Sequence, residues 1–242
     1  MNSGTVYGVG LGPGDPDLMS VRADRLIRSA GHIAHFRKAG RPGQARAIVK
    51  HMIPERAVEF AMEYPVTTEI PVADPRYNEI LSGFYAECAA HLRMLADAGE
   101  NVVVLCEGDP FFYGSFMHLY SRLKQECPIE VVPAISGMSG AWTATGLPIT
   151  WGDDVLTVLT GTLPEAELVR KMRDTDALVV MKIGRNIDKI RSALRQAGKF
   201  DAAWLVEFAT MPNQTVSRLS DAEDKVAPYF SIVVVHGQGR RP

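Results

Sequence analysis

The sequence predicts an α/β protein of two domains, with a parallel sheet in the first and a mixed sheet in the second. The chain has 242 residues, which suits one large domain or two small ones. In its first half, short apolar runs typical of strands alternate with segments whose apolar residues recur at helical spacing, which is the pattern of βαβ units. In its second half, five apolar bursts are separated by only two or three helical segments, which indicates a mixed sheet.

The first domain is predicted over residues 1–127. It opens with a strand at 5–12, where β-branched and aromatic residues run into glycines, and Ser20 is a suitable N-cap for the helix that follows at 19–30. A short strand at 32–36 and a short helix at 43–51 come next. The helix at 77–98 keeps an apolar stripe over its whole length, and Gly99 is a typical stop signal.

The segment Asn101–Cys106 is continuously apolar, as expected of a strand covered on both faces of a parallel sheet. A helix at 112–126 is predicted after it. The second domain is predicted over residues 128–242 and opens with a strand at 128–132. Its further predicted strands lie at 156–160, 178–182, 204–208, 214–219 and 230–236.

Composition excludes several classes of protein. The 26 Lys and Arg residues are balanced by 28 Asp and Glu residues, a net charge of −2, which argues against a general nucleic-acid binder. Three cysteines without a CxxC pair argue against a disulfide framework or a zinc site and favour a reducing compartment. No apolar run approaches a membrane span and the N-terminus lacks a secretory pattern. We therefore expect a cytoplasmic protein without a metal.

The first loop, Gly8–Pro16, is rich in glycine but does not match the dinucleotide fingerprint. In the three frames that start at glycine, the third position is occupied by Pro13, Asp15 or Asp17. No phosphate-binding GxxxxGK[ST] motif occurs either. The loop is therefore either a close backbone approach to a ligand or a tight turn between a strand and a helix.

Two further loops follow predicted strands. Asp109-Pro110 is a good helix start, with Asp as the N-cap, but Gly108 and Asp109 also lie at the carboxyl end of a central strand, where open α/β sheets bind ligands. The aromatic residues Phe111 to Tyr113 are either core or a platform for a flat ligand. In the third loop, Pro133–Gly140, small and hydroxyl residues suit either a close backbone approach or a capped helix start, and by themselves they favour the helix start.

Positive charge is concentrated in one segment, residues 25–54, which contains no Asp or Glu. It holds Arg25, Arg28, Arg37, Lys38, Arg41, Arg46 and Lys50. Such a segment is either a solvated surface or a site for a polyanionic ligand.

Six segments, in order and over nearly the whole chain, resemble the tetrapyrrole methylase family, whose members use S-adenosylmethionine. They are VGLGPGDPDLMS (9–20), EGDPFFYGSF (107–116), PAISGMSGA (133–141), MKIGRN (181–186), VEFATMPNQ (206–214) and YFSIVVVHG (229–237). The resemblance implies that family's two-domain, class III methyltransferase-like fold. It also implies a homodimer, with the cofactor held between the domains and a tetrapyrrole in a neighbouring trough.

Carried over residue by residue, the resemblance implies nine cofactor positions. Pro13 matches the first loop, and Glu107, Gly108 and Asp109 match the loop that receives the methionine part. The remaining positions are Ser136 and Gly137 in the third loop and, on the adenosine side, Met181, Ala209 and Ser231.

EGDPFFYGSF and MKIGRN are most similar to family members that methylate carbon 20 of precorrin-2, giving precorrin-3A on the route to cobalamin. Because that ring carries ionised carboxylates, we expect Arg37, Lys38 and Arg41 to contact it. The residues do not select a catalytic base among Asp109, Tyr113 and Glu207.

Several alternatives stay open. Within the family they are cobalt-factor II, uroporphyrinogen-III and precorrin-4 methylation, and methylation of ribosomal RNA or of a diphthamide precursor. From another class, a non-catalytic carrier of nucleotide or tetrapyrrole is possible.

Overall fold

A computed structural model describes residues 3–67, 70, 74–222 and 226–241. The chain divides into two compact units, Met1–Ser136 and Gly137–Pro242. The predicted boundary after Cys127 falls too early, because strand β5 (Ile129–Val132) pairs in parallel with the first strand of the first unit. That strand therefore belongs to the first sheet.

The first unit contains a parallel five-stranded sheet in the order β3-β2-β4-β1-β5. Its other strands are β1 (Val6–Gly10), β2 (His32–Lys38), β3 (Val58–Tyr64) and β4 (Val102–Cys106). The predicted parallel sheet is confirmed. Strand β3 is absent from the predicted elements, because its sequence VEFAMEY has three apolar residues in a row between Glu59 and Glu63 and so lacks a strict strand alternation.

The helices of this unit are α1 (Val21–Ser29), α2 (Gln44–Ile48), α3 (Pro75–Asp97) and α4 (Phe116–Leu123). Ser20 caps α1 as predicted, since its hydroxyl accepts a hydrogen bond from the backbone N–H of Ala23 at 3.1 Å. Helix α4 is shorter than the predicted helix at 112–126. Tyr113 has φ of 56°, which is left-handed and incompatible with a right-handed helix. The interpretation of Asp109 as the N-cap of this helix is therefore wrong.

The helices that follow β1 and β4 lie on opposite faces of the sheet. Ala23 and Ile27 of α1 pack with Ile33 in one core cluster, whereas Phe116 of α4 packs with Leu92 of α3 in the other. Two neighbouring parallel strands whose chains leave to opposite faces open a crevice at their carboxyl ends. The first and second loops therefore meet at this crevice.

The second unit contains a mixed sheet in the order β6-β7-β10-β8-β9, as predicted. Its strands are β6 (Leu156–Thr160), β7 (Ala177–Met181), β8 (Ala203–Glu207), β9 (Thr215–Arg218) and β10 (Ser231–Val235). Helices α6 (Glu165–Arg173) and α7 (Ile187–Gln196) contribute to one core cluster, and α5 (Gly137–Ala144) to a second.

Candidate active site

The loops after β1 and β4 are joined by backbone hydrogen bonds. The N–H of Leu11 donates to the carbonyl of Cys106 at 2.9 Å, and the N–H of Gly108 donates to the carbonyl of Gly12 at 3.0 Å. Gly12 and Gly108 have φ of 80° and 64°, a region that favours glycine. The structure thus brings the loop that carries Pro13 against the loop that carries Glu107 and Gly108.

Asp109 ties the third loop to the second. Its Oδ1 accepts a hydrogen bond from the N–H of Phe111 at 2.9 Å, and its Oδ2 accepts one from the N–H of Ala134 at 3.0 Å. Both carboxylate oxygens therefore accept a hydrogen bond from a backbone N–H, and the bond from Ala134 joins the second loop to the third. Asp109 acts in this structure as a residue that organises the loops.

Gly10 lies where the three loops meet. A Cβ at this position would lie 2.6 Å from the Cβ of Ala134 and 2.8 Å from the carbonyl oxygen of Gly108. Both distances are shorter than van der Waals contact, so only glycine allows the loops to pack this closely.

Glu107 follows directly after β4 and is partly buried. Burial raises the pKa of its carboxyl to about 7, and a hydrogen bond from the backbone N–H of Ala45 acts in the opposite direction. The carboxyl therefore exchanges a proton near neutral pH, and in its ionised form it can accept a hydrogen bond from a cationic ligand group.

Three of the predicted cofactor positions lie at one edge of the second sheet. Strands β7 and β8 both pair antiparallel with β10, so their carboxyl ends and the start of β10 share an edge. Met181 ends β7, Ser231 begins β10, and Ala209 follows β8 closely. Ser136 and Gly137 stand where the chain enters α5, in agreement with the helix predicted for the third loop.

The side chain of Ser231 is the strongest sign of a ligand at this edge. The residue is 3% exposed, and among the residues that the structure describes its Oγ has no hydrogen-bond partner. Buried polar groups are nearly always hydrogen-bonded, so a buried hydroxyl without a partner indicates a position where a ligand atom can bind.

Backbone strain accumulates at the same edge. Lys182 follows β7, while Phe208 and Thr210 flank Ala209, and their φ values are 55°, 52° and 65°. Non-glycine residues rarely adopt this conformation, and such strain collects at ligand sites.

The basic segment is not an unpaired positive patch. Arg37 pairs with Glu63 at 2.8 Å and Arg46 with Glu59, so carboxylates of β3 offset the charges of this segment. Side chains alternate along a strand, which puts Lys38 on the sheet face opposite Arg37. Arg41 is exposed in the turn after β2. Its backbone N–H donates to the carbonyl of Lys38 at 3.0 Å, so the two residues are neighbours in this turn.

Metal-binding clusters and membrane-spanning helices are both absent from the described residues. These residues contain no cluster of three or more His, Cys, Asp or Glu side chains arranged to hold a metal ion. None of their helices is long and apolar enough to cross a membrane.

Comparison with known proteins identifies the family. Residues 5–223 match the Tetrapyrrole (Corrin/Porphyrin) Methylases. A precorrin-2 C(20)-methyltransferase from Sinorhizobium sp is 48% identical over 99% of this chain and 98% of that protein. A cobalt-precorrin-2 C(20)-methyltransferase from Salmonella typhimurium is 28% identical over 98% of each chain.

A solved structure agrees with these relatives. The uroporphyrin-III C-methyl transferase of Thermus thermophilus, crystallised with S-adenyl homocysteine, has the same fold at a TM-score of 0.68 and 23% identity, and covers 96% of this chain and 97% of that one. The match to the family spans both units described above. The chain therefore belongs to the tetrapyrrole (corrin/porphyrin) methylase family.

Proposed function

We propose that this protein transfers a methyl group from S-adenosylmethionine to carbon 20 of precorrin-2, which forms precorrin-3A in cobalamin biosynthesis. The observation that carries the proposal is the 48% identity, over nearly the full length of both chains, to a protein named for this reaction. The relative named for the cobalt-containing substrate is 28% identical, so we favour the metal-free ring.

We assign the methionine part of S-adenosylmethionine to the crevice between β1 and β4. Pro13 and Gly108 would present backbone there, and Glu107 in its ionised form suits the ligand's ammonium group. The bridge between Gly12 and Gly108 supports this, because it fixes both loops before the ligand arrives. Asp109 contributes by holding the second and third loops together.

We assign the adenosine part to Met181, Ala209 and Ser231. The unpartnered, buried Oγ of Ser231 supports this assignment, because a hydroxyl or ring nitrogen of the ligand would satisfy it. Ser136 and Gly137 are proposed to complete the cofactor contacts. These nine positions rest on the family resemblance and on the geometry of each unit.

S-adenosylmethionine supplies an already activated methyl group when it is bound. In the proposed reaction an electron pair of the ring's meso carbon forms the new C–C bond, the S–C bond breaks, and S-adenosylhomocysteine leaves. The proton on the meso carbon is then lost to a base or to water. Because the leaving group needs no further activation, the main task of this chain is to orient the two reactants.

The deciding experiment incubates the protein with S-adenosylmethionine carrying a ¹³C-methyl group, together with precorrin-2 or with its cobalt-containing counterpart. We expect one added methyl group by mass spectrometry and its assignment to carbon 20 by NMR, with the metal-free ring reacting faster. A methyl group on another carbon would contradict the assigned reaction. Absence of any S-adenosylmethionine binding by calorimetry would favour a non-catalytic carrier.

We also propose that the enzyme works as a homodimer in the cytoplasm, as the family resemblance implies. Sedimentation equilibrium measures the first property, and cell fractionation the second. A monomer at assay concentration, or recovery of the protein with membranes, would contradict the respective expectation.

A further inference from the structure

A cavity of about 410 Å³ lies beside β2 and β3 in the first unit. It is lined by His35, Arg37, Pro42, Gly43, Arg46, Glu59 and Ala61. The strand register places His35 opposite Ala61 and Arg37 opposite Glu63, so these residues share one face of the sheet. The segment before and within α2 supplies the other wall.

His35 carries an unsatisfied polar atom at this cavity. The residue is 3% exposed, and its Nδ1 has no hydrogen-bond partner within the described part of the chain. Its Nε2 lies 3.7 Å from Oε2 of Glu59. A buried imidazole nitrogen without a partner is unfavourable, and a ligand atom in the cavity would remove that cost.

Gly43 packs directly against this nitrogen. A Cβ on Gly43 would lie 2.7 Å from Nδ1 of His35, closer than van der Waals contact. The same Cβ would lie 2.6 Å from the carbonyl oxygen of Phe36, so only glycine fits between this carbonyl and the imidazole of His35.

The two arginines are held in place by carboxylates and keep donors to spare. Arg46 donates through Nε and Nη2 to Glu59, and Arg37 donates through Nε to Glu63 at 2.9 Å with Nη2 2.8 Å from the same oxygen. A guanidinium has five N–H donors, and neither Nη1 makes a hydrogen bond to any residue that the structure describes.

The charge of the cavity depends on His35. Each arginine is offset by one glutamate, so the arginine pairs contribute little net charge. Burial lowers the pKa of His35, an interaction with the backbone of Phe36 and the charge of Glu59 raise it, and the charges of Arg46 and Arg37 lower it. The imidazole is therefore neutral in the free protein at neutral pH, and an anion beside it would favour its protonated form.

We propose that this cavity receives one carboxylate side chain of the tetrapyrrole, bound by Nδ1–H of His35 and by Nη1 of Arg37 and Arg46, and that His35 gains a proton as the carboxylate enters. This inference rests on the proposed function and adds a subsite to it. In place of the predicted set of Arg37, Lys38 and Arg41, it uses His35 and Arg37 on one face of the sheet and Arg46 on helix α2.

The test compares the wild type with His35→Gln, which keeps a hydrogen-bonding side chain but cannot become charged. The matched control is His51→Gln, since His51 is exposed and lies outside the residues that line the cavity. Binding is measured by fluorescence titration with sirohydrochlorin, an oxidised and stable relative of precorrin-2, at pH 6.0, about 7 and about 8. Methyl transfer to precorrin-2 is measured in parallel.

We expect His35→Gln to bind sirohydrochlorin about tenfold more weakly at the lowest pH, because a charge-assisted hydrogen bond is lost. Wild-type affinity should fall as the pH rises, whereas the affinity of His35→Gln should be nearly flat and His51→Gln should follow the wild type. Gly43→Ala places a methyl group 2.7 Å from Nδ1 and 2.6 Å from the Phe36 carbonyl oxygen without a change of charge, so its urea midpoint is measured beside its affinity. Weaker binding at an unchanged midpoint is the expected result.

The two proposals fail in distinguishable ways. A wild type that binds sirohydrochlorin with the expected pH dependence but does not methylate precorrin-2 would refute the proposed function. A wild type that methylates precorrin-2 while His35→Gln and Gly43→Ala keep full affinity and an unchanged pH dependence would overturn this inference alone.

Discussion

Asp109 gives a sharp test of how the loops of the first unit are held, because Asp109→Asn changes one atom and leaves the shape intact. In the wild type both carboxylate oxygens accept a backbone N–H, from Phe111 at 2.9 Å and from Ala134 at 3.0 Å. An Asn side chain has one oxygen and one NH₂ group. In either orientation, one backbone donor then faces another donor.

The expected loss of folding stability follows from the one hydrogen bond that the Asn side chain cannot make. A hydrogen bond to a charged group contributes about 1.5–3 kcal/mol, and the lost partner leaves one N–H unsatisfied. Asp109 is only partly buried, so we expect about 2 kcal/mol of lost stability, near the lower part of that range. For a chain of this size the loss lowers Tm by about 4–8 °C. Because the loop that carries Gly108 loosens, affinity for S-adenosylmethionine should fall too.

Urea unfolding measures the stability, and calorimetry measures the affinity for S-adenosylmethionine. Asp153→Asn is the matched control, since the side chain of Asp153 is 91% exposed and its ion pair with Arg240 is 3.5 Å long. Its effect on stability should stay within about 0.5 kcal/mol. Unchanged stability of Asp109→Asn would refute the loop-holding role. Unchanged stability with lost affinity would show instead that Asp109 contacts the ligand directly.

Three further predictions follow from single side chains. Glu107→Gln should have a stability similar to the wild type below about pH 4.5 and be more stable than the wild type above pH 7, by up to about 3 kcal/mol. The reason is that the folded wild type must ionise a carboxyl whose pKa is raised to about 7. Equal urea midpoints at pH 8 would contradict this. Ser231→Ala should keep or raise the stability of the free protein, since the Oγ has no partner in the described part of the chain, yet weaken S-adenosylmethionine binding about tenfold. Calorimetry showing full affinity would exclude Ser231 as a ligand contact. Burial chiefly lowers the pKa of His236, so the folded state favours its neutral form, and wild-type stability should fall as the pH drops below about 6.5. The fall should be smaller in His236→Gln, and an identical pH profile for both proteins would reject that cause.

The loops of the first unit could be located from the sequence because their position follows from local signals. Glycines after one strand and Glu107-Gly108-Asp109 after another identify two strand ends, and strand ends are where open parallel sheets bind ligands. The apolar runs at 178–182 and 230–236 predicted the strands that contain Met181 and Ser231, whereas the family resemblance identified these two residues as cofactor positions. What these signals leave open is which strands are neighbours.

The pairing of the basic segment with β3 depends on that non-local order. Arg37 meets Glu63 only because β2 and β3 are adjacent and in a particular register. The same holds for Asp109, whose second bond reaches Ala134 in another loop. A count of charges along the chain therefore overestimates the positive patch, and a capping pattern alone misassigns Asp109 to a helix that starts at Phe116.

These features bear on how the fold can promote methyl transfer. Well-oriented reactants gain effective molarities of about 10⁵–10⁸ M, but only if the groups that orient them do not move. In the first unit that rigidity comes from Gly10, which admits no Cβ, and from the two bonds of Asp109. In the second unit Phe208 and Thr210 keep left-handed backbone beside Ala209, a conformation that persists only where surrounding contacts enforce it. If orientation is the main source of rate, a variant that loosens the contacts of Gly10 and Asp109, or the strained backbone beside Ala209, should have a lower kcat even where it still binds both reactants. The reaction then requires no side chain of this protein as an essential base.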